Sequence, residues 1–177
     1  YVSSEYADPG TQLEVEIRKS SVPAEVVKPP FFPTRVKKIN NLYFIGGIME
    51  VPKDLLYTPE HEWIRVNGKN AVIGITQFAQ EQLGDIVFVE LPEVGSQIEK
   101  ESPFGVVESV KTVSDLYAPA SGKVTKVNKD LETNPEIVNS GPYDAGWIVE
   151  IELSDEKDLE SLLDPDAYTE QCQKETE

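Results

Sequence analysis

The chain has 177 residues, 39% of them hydrophobic, which is enough for one compact domain with residues to spare. Its 32 acidic residues outnumber its 16 basic ones, and the net charge of −16 argues against nucleic-acid binding, because phosphates would be repelled. No apolar run approaches the roughly 20 residues of a membrane-spanning helix, and the single cysteine excludes an internal disulfide.

Charge is distributed unevenly along the chain. Residues 1–48 hold six basic and five acidic residues, so 10 of the 16 basic and 27 of the 32 acidic residues fall in residues 49–177. An acidic surface favours solubility and steered encounter with basic partner surfaces. The difference in composition indicates two pieces that divide near Met49.

The first piece reads as part of a domain. Residues 11–18 alternate polar and apolar, which predicts a half-buried strand, and residues 22–27 predict a second strand. A proline-rich run at 29–33 ends the second strand, because proline removes ladder donors. Two short strands cannot form a stable core alone. We therefore predict that residues 1–48 are a weakly structured extension, with weak packing over 35–50, and that residues 49–177 form the main domain.

The second piece is rich in strand signals. Residues 61–66 and 71–75 flank Asn67-Gly68, a favoured hairpin turn. Thr76 is a good N-cap for a short helix over 77–83, which Gly84 ends. Further apolar stretches predict strands at 86–91, 96–100, 104–110, 112–117, 122–128 and 146–153.

Helical patterns are confined to short segments. A helical turn is expected over 134–138, and two helices are expected at the C-terminus, over 155–163 and 165–173. The fold class is therefore predicted to be mainly β, with short helices and a C-terminal helical segment.

Lys111 stands between two strand-like stretches, where the chain is expected to turn. A lysine at the tip of a hairpin is exposed and projects from the body, so a modifying enzyme can reach it. The segments 94–98 and 121–124, one on each side of Lys111, both place a turn glycine before a strand. This weak internal repeat is typical of a fold with two similar halves that meet at the lysine.

The residues around Lys111 resemble a known attachment motif. Glu108, Ser109, Val110 and Lys111, followed by Asp115, are similar to the motif of the glycine cleavage system H-protein family. Biotin carriers instead place Met on both sides of their lysine, where this chain has Val110 and Thr112. Further matching stretches in family order are 57–63, 73–76, 79–84, 87–92, 118–122 and 146–147.

The resemblance implies a fold and a function. The fold is the lipoyl/biotinyl-type barrel-sandwich hybrid, and lipoate is expected on Lys111, with Glu108, Ser109, Val110 and Asp115 as the recognition flank. A chain of this kind is not an enzyme. It carries the aminomethyl group of glycine from the decarboxylase (P protein) to the aminomethyltransferase (T protein), and electrons to dihydrolipoamide dehydrogenase (L protein). A lipoate ligase or lipoyltransferase would attach the arm.

The family also shelters its loaded arm in a cleft. Glu62 and Asp115 are candidates for holding an amine there, because a carboxylate pairs with an ammonium group. His61, the only histidine, is placed beside them, and packing or hydrogen bonding is favoured for it over catalysis. With one histidine and one cysteine, no metal site is expected.

Residues 1–38 resemble another family. The segments 9–11, 15–18, 23–27 and 30–32 are similar to the C-terminal end of the aminomethyltransferase (T protein). Three origins stay open for residues 1–48: the tail of an upstream gene with a translated intergenic stretch, a fragment of a natural fusion, or an engineered linker.

Two alternatives to the glycine-cleavage carrier also stay open. The chain could relay lipoate to other enzymes, or it could be an unmodified interaction module. Intact Lys111 and its flank argue against the second. A bacterial cytoplasmic location is expected, and a mitochondrial one is left open, although no transit peptide is recognisable.

Overall fold

The computed structural model describes residues 12–17, 20–25, 43–44 and 47–176. The chain divides into two compact units, Tyr1–Asn41 and Leu42–Glu177. In the first unit, β1 (Gln12–Ile17) and β2 (Ser20–Glu25) form an antiparallel hairpin in which Val15 lies opposite Val22. The alternating pattern located the first strand, while the second strand begins two residues earlier than predicted.

The second unit opens with a short pair of strands, β3 (Tyr43–Phe44) and β4 (Gly47–Ile48). The weak packing predicted over 35–50 falls mostly outside the described residues. Met49 lies within that range and is buried, contrary to the expectation for that residue. The backbone of Glu50 is also held, since its N–H donates to Gln77 Oε1 and its carbonyl accepts from the Tyr143 hydroxyl.

Nine further strands form two antiparallel sheets. Their bounds are β5 (Leu56–Tyr57), β6 (Glu62–Asn67), β7 (Asn70–Ile75), β8 (Ile86–Glu90), β9 (Gln97–Ile98), β10 (Pro103–Ser109), β11 (Val113–Tyr117), β12 (Gly122–Val127) and β13 (Val149–Leu153). One sheet has six strands in the order β5-β6-β7-β13-β12-β9, and the other has three in the order β11-β10-β8. The prediction of a mainly β protein is confirmed.

The hairpin between β6 and β7 turns one residue later than predicted. Asn67 pairs with Asn70, so Gly68 and Lys69 are the two turn residues. Gly68 has a φ of +61°, which falls in the left-handed region that glycine adopts without strain.

The described part of the chain also contains three short α-helices: α1 (Gln77–Leu83), α2 (Ile137–Ser140) and α3 (Pro165–Thr176). Single 3-10 helices span Lys129–Glu132 and Glu156–Ser161. Helix α1 has the predicted bounds, with the Thr76 hydroxyl accepting from the Ala79 N–H at 3.2 Å. None of the helices in the described part of the chain is long and apolar enough to cross a membrane.

The core lies between the two sheets and continues under α3. Apolar side chains from both sheets form one buried cluster, which includes Ile73, Val89, Val107 and Ile151. A second cluster is largely aromatic and joins the N-terminal strands of the six-stranded sheet to α3, through Tyr57, Trp63, Phe78, Tyr168 and Cys172. The rings of Tyr57 and Tyr168 stack with centroids 4.4 Å apart.

Gly74 is predicted to contribute to stability, because the Trp63 ring covers it. A Cβ at Gly74 would lie 2.7 Å from Trp63 Cζ2, and the buried ring is fixed by bonds from Nε1 to the carbonyls of Ile75 and Pro142. Gly74→Ala should lower the free energy of unfolding by about 1–3 kcal/mol. Gly141→Ala is the control, since its Cβ would approach nothing closer than 3.7 Å. Urea denaturation measures the free energy of unfolding of both variants. A Gly74→Ala variant as stable as the Gly141→Ala variant would contradict the packing argument.

Candidate functional site

Lys111 lies at the tip of the β10–β11 hairpin, as the sequence predicts. The Ser109 N–H donates to the Thr112 carbonyl at 2.8 Å and closes the turn. The Ser109 hydroxyl also accepts from the N–H groups of Lys111, at 3.2 Å, and Thr112, at 3.1 Å. In a tight turn, a serine hydroxyl can accept hydrogen bonds from backbone N–H groups that have no carbonyl partner. The backbone that carries Lys111 is therefore held by its own flank.

A second contact holds the tip from outside the hairpin. The Val110 N–H donates to the Asp85 carbonyl at 3.1 Å, and Asp85 directly precedes β8. The Lys111 side chain is exposed above this fixed backbone. Mobility at this position therefore belongs to the side chain and to any group attached to it.

The Lys111 side chain rests on the C-terminal end of α1. Its Nζ lies 3.5 Å from the Gln82 carbonyl, a distance too long for a strong hydrogen bond. Its Cε lies 2.9 Å from the place a Cβ would occupy at Gly84, so only glycine leaves room for this position of the lysine. A cation is favoured beside the last carbonyls of a helix, by about 0.3–1 kcal/mol when exposed. The amine is thus weakly held and accessible.

The other residues of the predicted recognition flank surround Lys111. Glu108 is half-buried on β10, and Asp115 is exposed on β11. Val110 is 67% exposed at the tip itself. Ser109 has the structural role described above. Their recognition by a modifying enzyme stays a prediction, while their placement beside the lysine is a feature of the structure.

Glu62 is a buried carboxylate with fixed partners. It is 2% exposed, its Oε1 accepts from the Tyr117 N–H at 2.9 Å, and its Oε2 accepts a short bond from the Thr58 hydroxyl. Burial raises the pKa of Glu62 above its ordinary value, and these two hydrogen bonds oppose that rise. The carboxylate thus accepts a backbone hydrogen bond at the edge of β11, on the side where no other described strand pairs with it.

His61 is held by α3. Its Nδ1 lies 2.9 Å from the Tyr168 hydroxyl and its Nε2 lies 3.0 Å from a Glu175 carboxylate oxygen. Burial lowers the pKa of His61, and the Glu175 carboxylate opposes this effect. His61 also has a φ of +75°, a strained conformation for a residue with a side chain. These contacts support the packing and hydrogen-bonding role predicted for it.

The three predicted cleft residues do not meet at one point in this structure. Among the described contacts, none joins Glu62, His61 or Asp115 to another of the three by its side chain, or to Lys111. A cavity of about 560 Å³ lies next to Glu62. It is lined in part by Thr58, Glu60, Lys100, Glu101, Tyr117 and Leu162. Thr58 and Tyr117 are the two partners of Glu62, so that carboxylate lies behind the cavity wall. The cleft role stays a prediction.

Several neighbours of the lysine were not found from the sequence. Gln82 and Gly84 were recognised as part of α1 and its end. The family resemblance left open whether this helix lies near the arm, and the local sequence places neither residue against Lys111, 27 or more residues away. Asp85 holds the tip through its backbone carbonyl, which any residue type provides. In the described part of the chain, no three His, Cys, Asp or Glu side chains are grouped as a metal site would require.

The structure is a two-sheet β sandwich in which an anchored hairpin presents an exposed lysine, the arrangement expected of a lipoyl-type carrier domain. The family model described as "Glycine cleavage H-protein" matches residues 55–175. The chain therefore belongs to the glycine cleavage H-protein family. The model described as "Glycine cleavage T-protein C-terminal barrel domain" matches residues 1–33.

Individual relatives agree with this assignment. A glycine cleavage system H protein of Brevibacillus brevis is 62% identical over 120 residues, which cover 68% of this chain and 95% of the relative. The H protein of Symbiobacterium thermophilum is 62% identical over 118 residues, 67% of this chain and 92% of that one. The crystal structure of an H protein from Mycobacterium marinum covers 68% of this chain and 98% of its own, with 41% identity and a TM-score of 0.64. The predicted lipoyl-type fold is confirmed.

Two substitutions of Glu62 should distinguish the effect of its hydrogen bonds on stability from the effect of its charge. Glu62→Ala leaves the Tyr117 N–H and Thr58 hydroxyl without an acceptor and should cost about 1–3 kcal/mol of unfolding free energy. Glu62→Gln keeps an acceptor for Tyr117. Because the folded-state pKa of Glu62 is raised, its ionisation destabilises the fold as pH rises from about the ordinary value of 4.5 through the raised pKa. Glu62→Gln should therefore gain stability relative to wild type as pH increases.

Urea unfolding between pH 4 and pH 8 provides the measurement for the Glu62 variants. The exposed neighbour Glu60 supplies a matched control, since Glu60→Gln should change the unfolding free energy by less than about 0.5 kcal/mol. A Gln variant that loses as much stability as the Ala variant at every pH would show that the negative charge itself stabilises the fold.

Proposed function

We propose that this chain is the lipoyl carrier of the glycine cleavage system, with lipoate in amide linkage to Lys111. The observation that carries the proposal is an exposed lysine on a doubly anchored hairpin tip, in a domain of the glycine cleavage H-protein family. The backbone around the lysine is fixed and only its side chain is free, as a covalent arm requires.

The residues at the tip fit covalent attachment of lipoate. The nearest described polar partner of Lys111 Nζ is a carbonyl 3.5 Å away, so acylation displaces no strong bond. Ser109 and Val110 anchor the backbone and not the side chain, so the tip can stay as it is when the amine becomes an amide. Lipoate, when attached, supplies the disulfide that takes up the aminomethyl group and electrons.

The protein itself contributes tethering and orientation. The anchored hairpin sets the origin of the arm, which raises the effective concentration of its end near a docked partner. Bond making belongs to the partners, which we propose to be glycine decarboxylase, the aminomethyltransferase and dihydrolipoamide dehydrogenase. A lipoate ligase or lipoyltransferase would load Lys111. We assign the chain a carrier role and not an enzymatic one.

We retain Glu62 and Asp115 as candidates for holding an ammonium group on the loaded arm. Asp115 lies in β11, and Glu62 bonds to the backbone of Tyr117 in the same strand, so both acids lie along one edge of the hairpin that carries Lys111. His61 supports this region through α3 and through its own carbonyl, which accepts the Thr76 N–H at 2.9 Å.

We also propose that residues 49–177 suffice for the carrier role, with residues 1–48 as an extension from a T-protein C-terminal end. The separate family matches of 1–33 and 55–175 support this division. The relatives come from bacteria, which favours a bacterial cytoplasmic location.

Peptide mass spectrometry after incubation with a lipoate–protein ligase, ATP and lipoate tests the attachment site. We expect one lipoyl increment, mapped to Lys111, and none in Lys111→Arg. Because the side chain is exposed, that substitution should change the unfolding free energy by less than about 0.5 kcal/mol. A folded wild-type chain that gains no increment from an active ligase would overturn the proposal.

Shortening the chain tests the domain proposal. A chain of residues 49–177 should fold, be acylated at Lys111 at the rate of the full chain and unfold at the same urea concentration. The buried Met49 side chain remains in it. Loss of folding or a much slower acylation would show that residues 1–48 belong to the functional unit.

A further inference from the structure

The outer face of the three-stranded sheet carries an ordered pattern next to Lys111. Directly opposite residues of antiparallel strands point to the same side. The strand pairs place Phe88, Glu108 and Val113 in one row, and Glu90, Val106 and Asp115 in the next. Val89 and Val107, from the row between, are buried in the core, so the two named rows face outward. We call these six residues the outer hairpin face.

Exposed apolar side chains are concentrated on this face and its margin. Six large hydrophobic residues are exposed in the described part of the chain, and four of them lie here: Val87 at 50%, Phe88 at 46%, Val110 at 67% and Val113 at 62%. The strand register shifts at Val87, which has no partner on β10, and this bulge leaves both Val87 and Phe88 outside. Clustered exposed apolar side chains mark protein contact surfaces.

Acidic side chains alternate with the apolar ones on the outer hairpin face. Each row across the sheet mixes the two kinds, with Glu108 between Phe88 and Val113 and with Val106 between Glu90 and Asp115. Within the described part of the chain, these three carboxylates form no ion pair and no side-chain hydrogen bond, whereas Glu150 pairs with Lys126 in the other sheet. No basic residue belongs to the face. It therefore complements a surface on which Lys or Arg alternates with apolar side chains.

We propose that the outer hairpin face is the docking surface for the enzyme that acylates Lys111, through a basic and apolar surface of that enzyme. The inference rests on the function proposed above. Enzymes that use the finished arm can bind the arm itself. The acylating enzyme meets a bare lysine, so it must recognise the folded surface beside that lysine. The outer hairpin face adjoins the tip and carries the apolar area and unpaired charge that such recognition needs.

Steady-state acylation kinetics test the docking surface. Phe88→Asp and Glu90→Lys alter the face without touching Lys111, its anchors or the candidate cleft residues. Val66→Asp and Glu152→Lys are matched controls, because both are exposed strand residues of the six-stranded sheet. The assay uses the full chain with lipoate–protein ligase, ATP and saturating lipoate, and thermal denaturation confirms that each variant is folded.

The face variants should lower kcat/KM by roughly tenfold or more through KM, as expected for central interface residues, with kcat nearly unchanged. The controls should stay within about twofold of wild type. Added salt should reduce kcat/KM of wild type more than that of Glu90→Lys.

If wild type is acylated at Lys111 and folded face variants match the controls, the docking proposal is wrong. If wild type is not acylated, the proposed function fails first. Glu90→Lys remains decisive if Phe88→Asp does not fold.

Discussion

The packing of the three-stranded sheet onto the six-stranded sheet determines where Lys111 projects. Val89 and Val107 from one sheet and Ile73 and Ile151 from the other share one buried cluster, so the base of the hairpin cannot move without opening the core. Hydrogen bonds from Ser109 and to Asp85 extend this rigidity to the tip, beyond the reach of apolar packing. The core thereby fixes the point from which the exposed lysine side chain projects.

The acids and the histidine around Lys111 differ in whether they hold the fixed base of the hairpin or stay free. Glu62 closes the open edge of β11 with a carboxylate, and α3 holds the loop before β6 through His61. Glu62 thus completes the fold at a sheet edge, and His61 holds a loop against α3. The acids on the outer hairpin face have no such duty, and their charge is available for a partner.

Local signals in the sequence were sufficient for the elements that depend on them. The hydroxyl of Thr76 and the glycine at 84 marked both ends of α1, and apolar strand-like stretches located the two strands around Lys111. The turn after β6 was placed one residue early, because an Asn-Gly pair favours a turn without determining which two residues lie outside the ladder. Lys111 itself was identified through its flank, since a single exposed lysine has no local signature.

Long-range contacts account for what the sequence could not predict. Glu62 resembles any surface acid in the sequence, and its burial depends on Tyr117, 55 residues later. His61 depends on Glu175, 114 residues later, and Lys111 meets Gln82 only because the hairpin folds over α1. The alternation of acidic and apolar side chains on the outer hairpin face likewise depends on the register of three strands and on a bulge at Val87. Such features follow from tertiary packing and not from propensity.

Whether lipoate on Lys111 serves glycine cleavage is tested most directly by the release of labelled carbon dioxide from carboxyl-labelled glycine. Glycine decarboxylase is supplied with the lipoylated chain, and Lys111→Arg serves as the carrier-free control. We expect release that rises in proportion to the lipoylated fraction and is lost in Lys111→Arg. A fully lipoylated chain that supports no release, beside an H protein that does, would contradict the account and favour a lipoate-relay role.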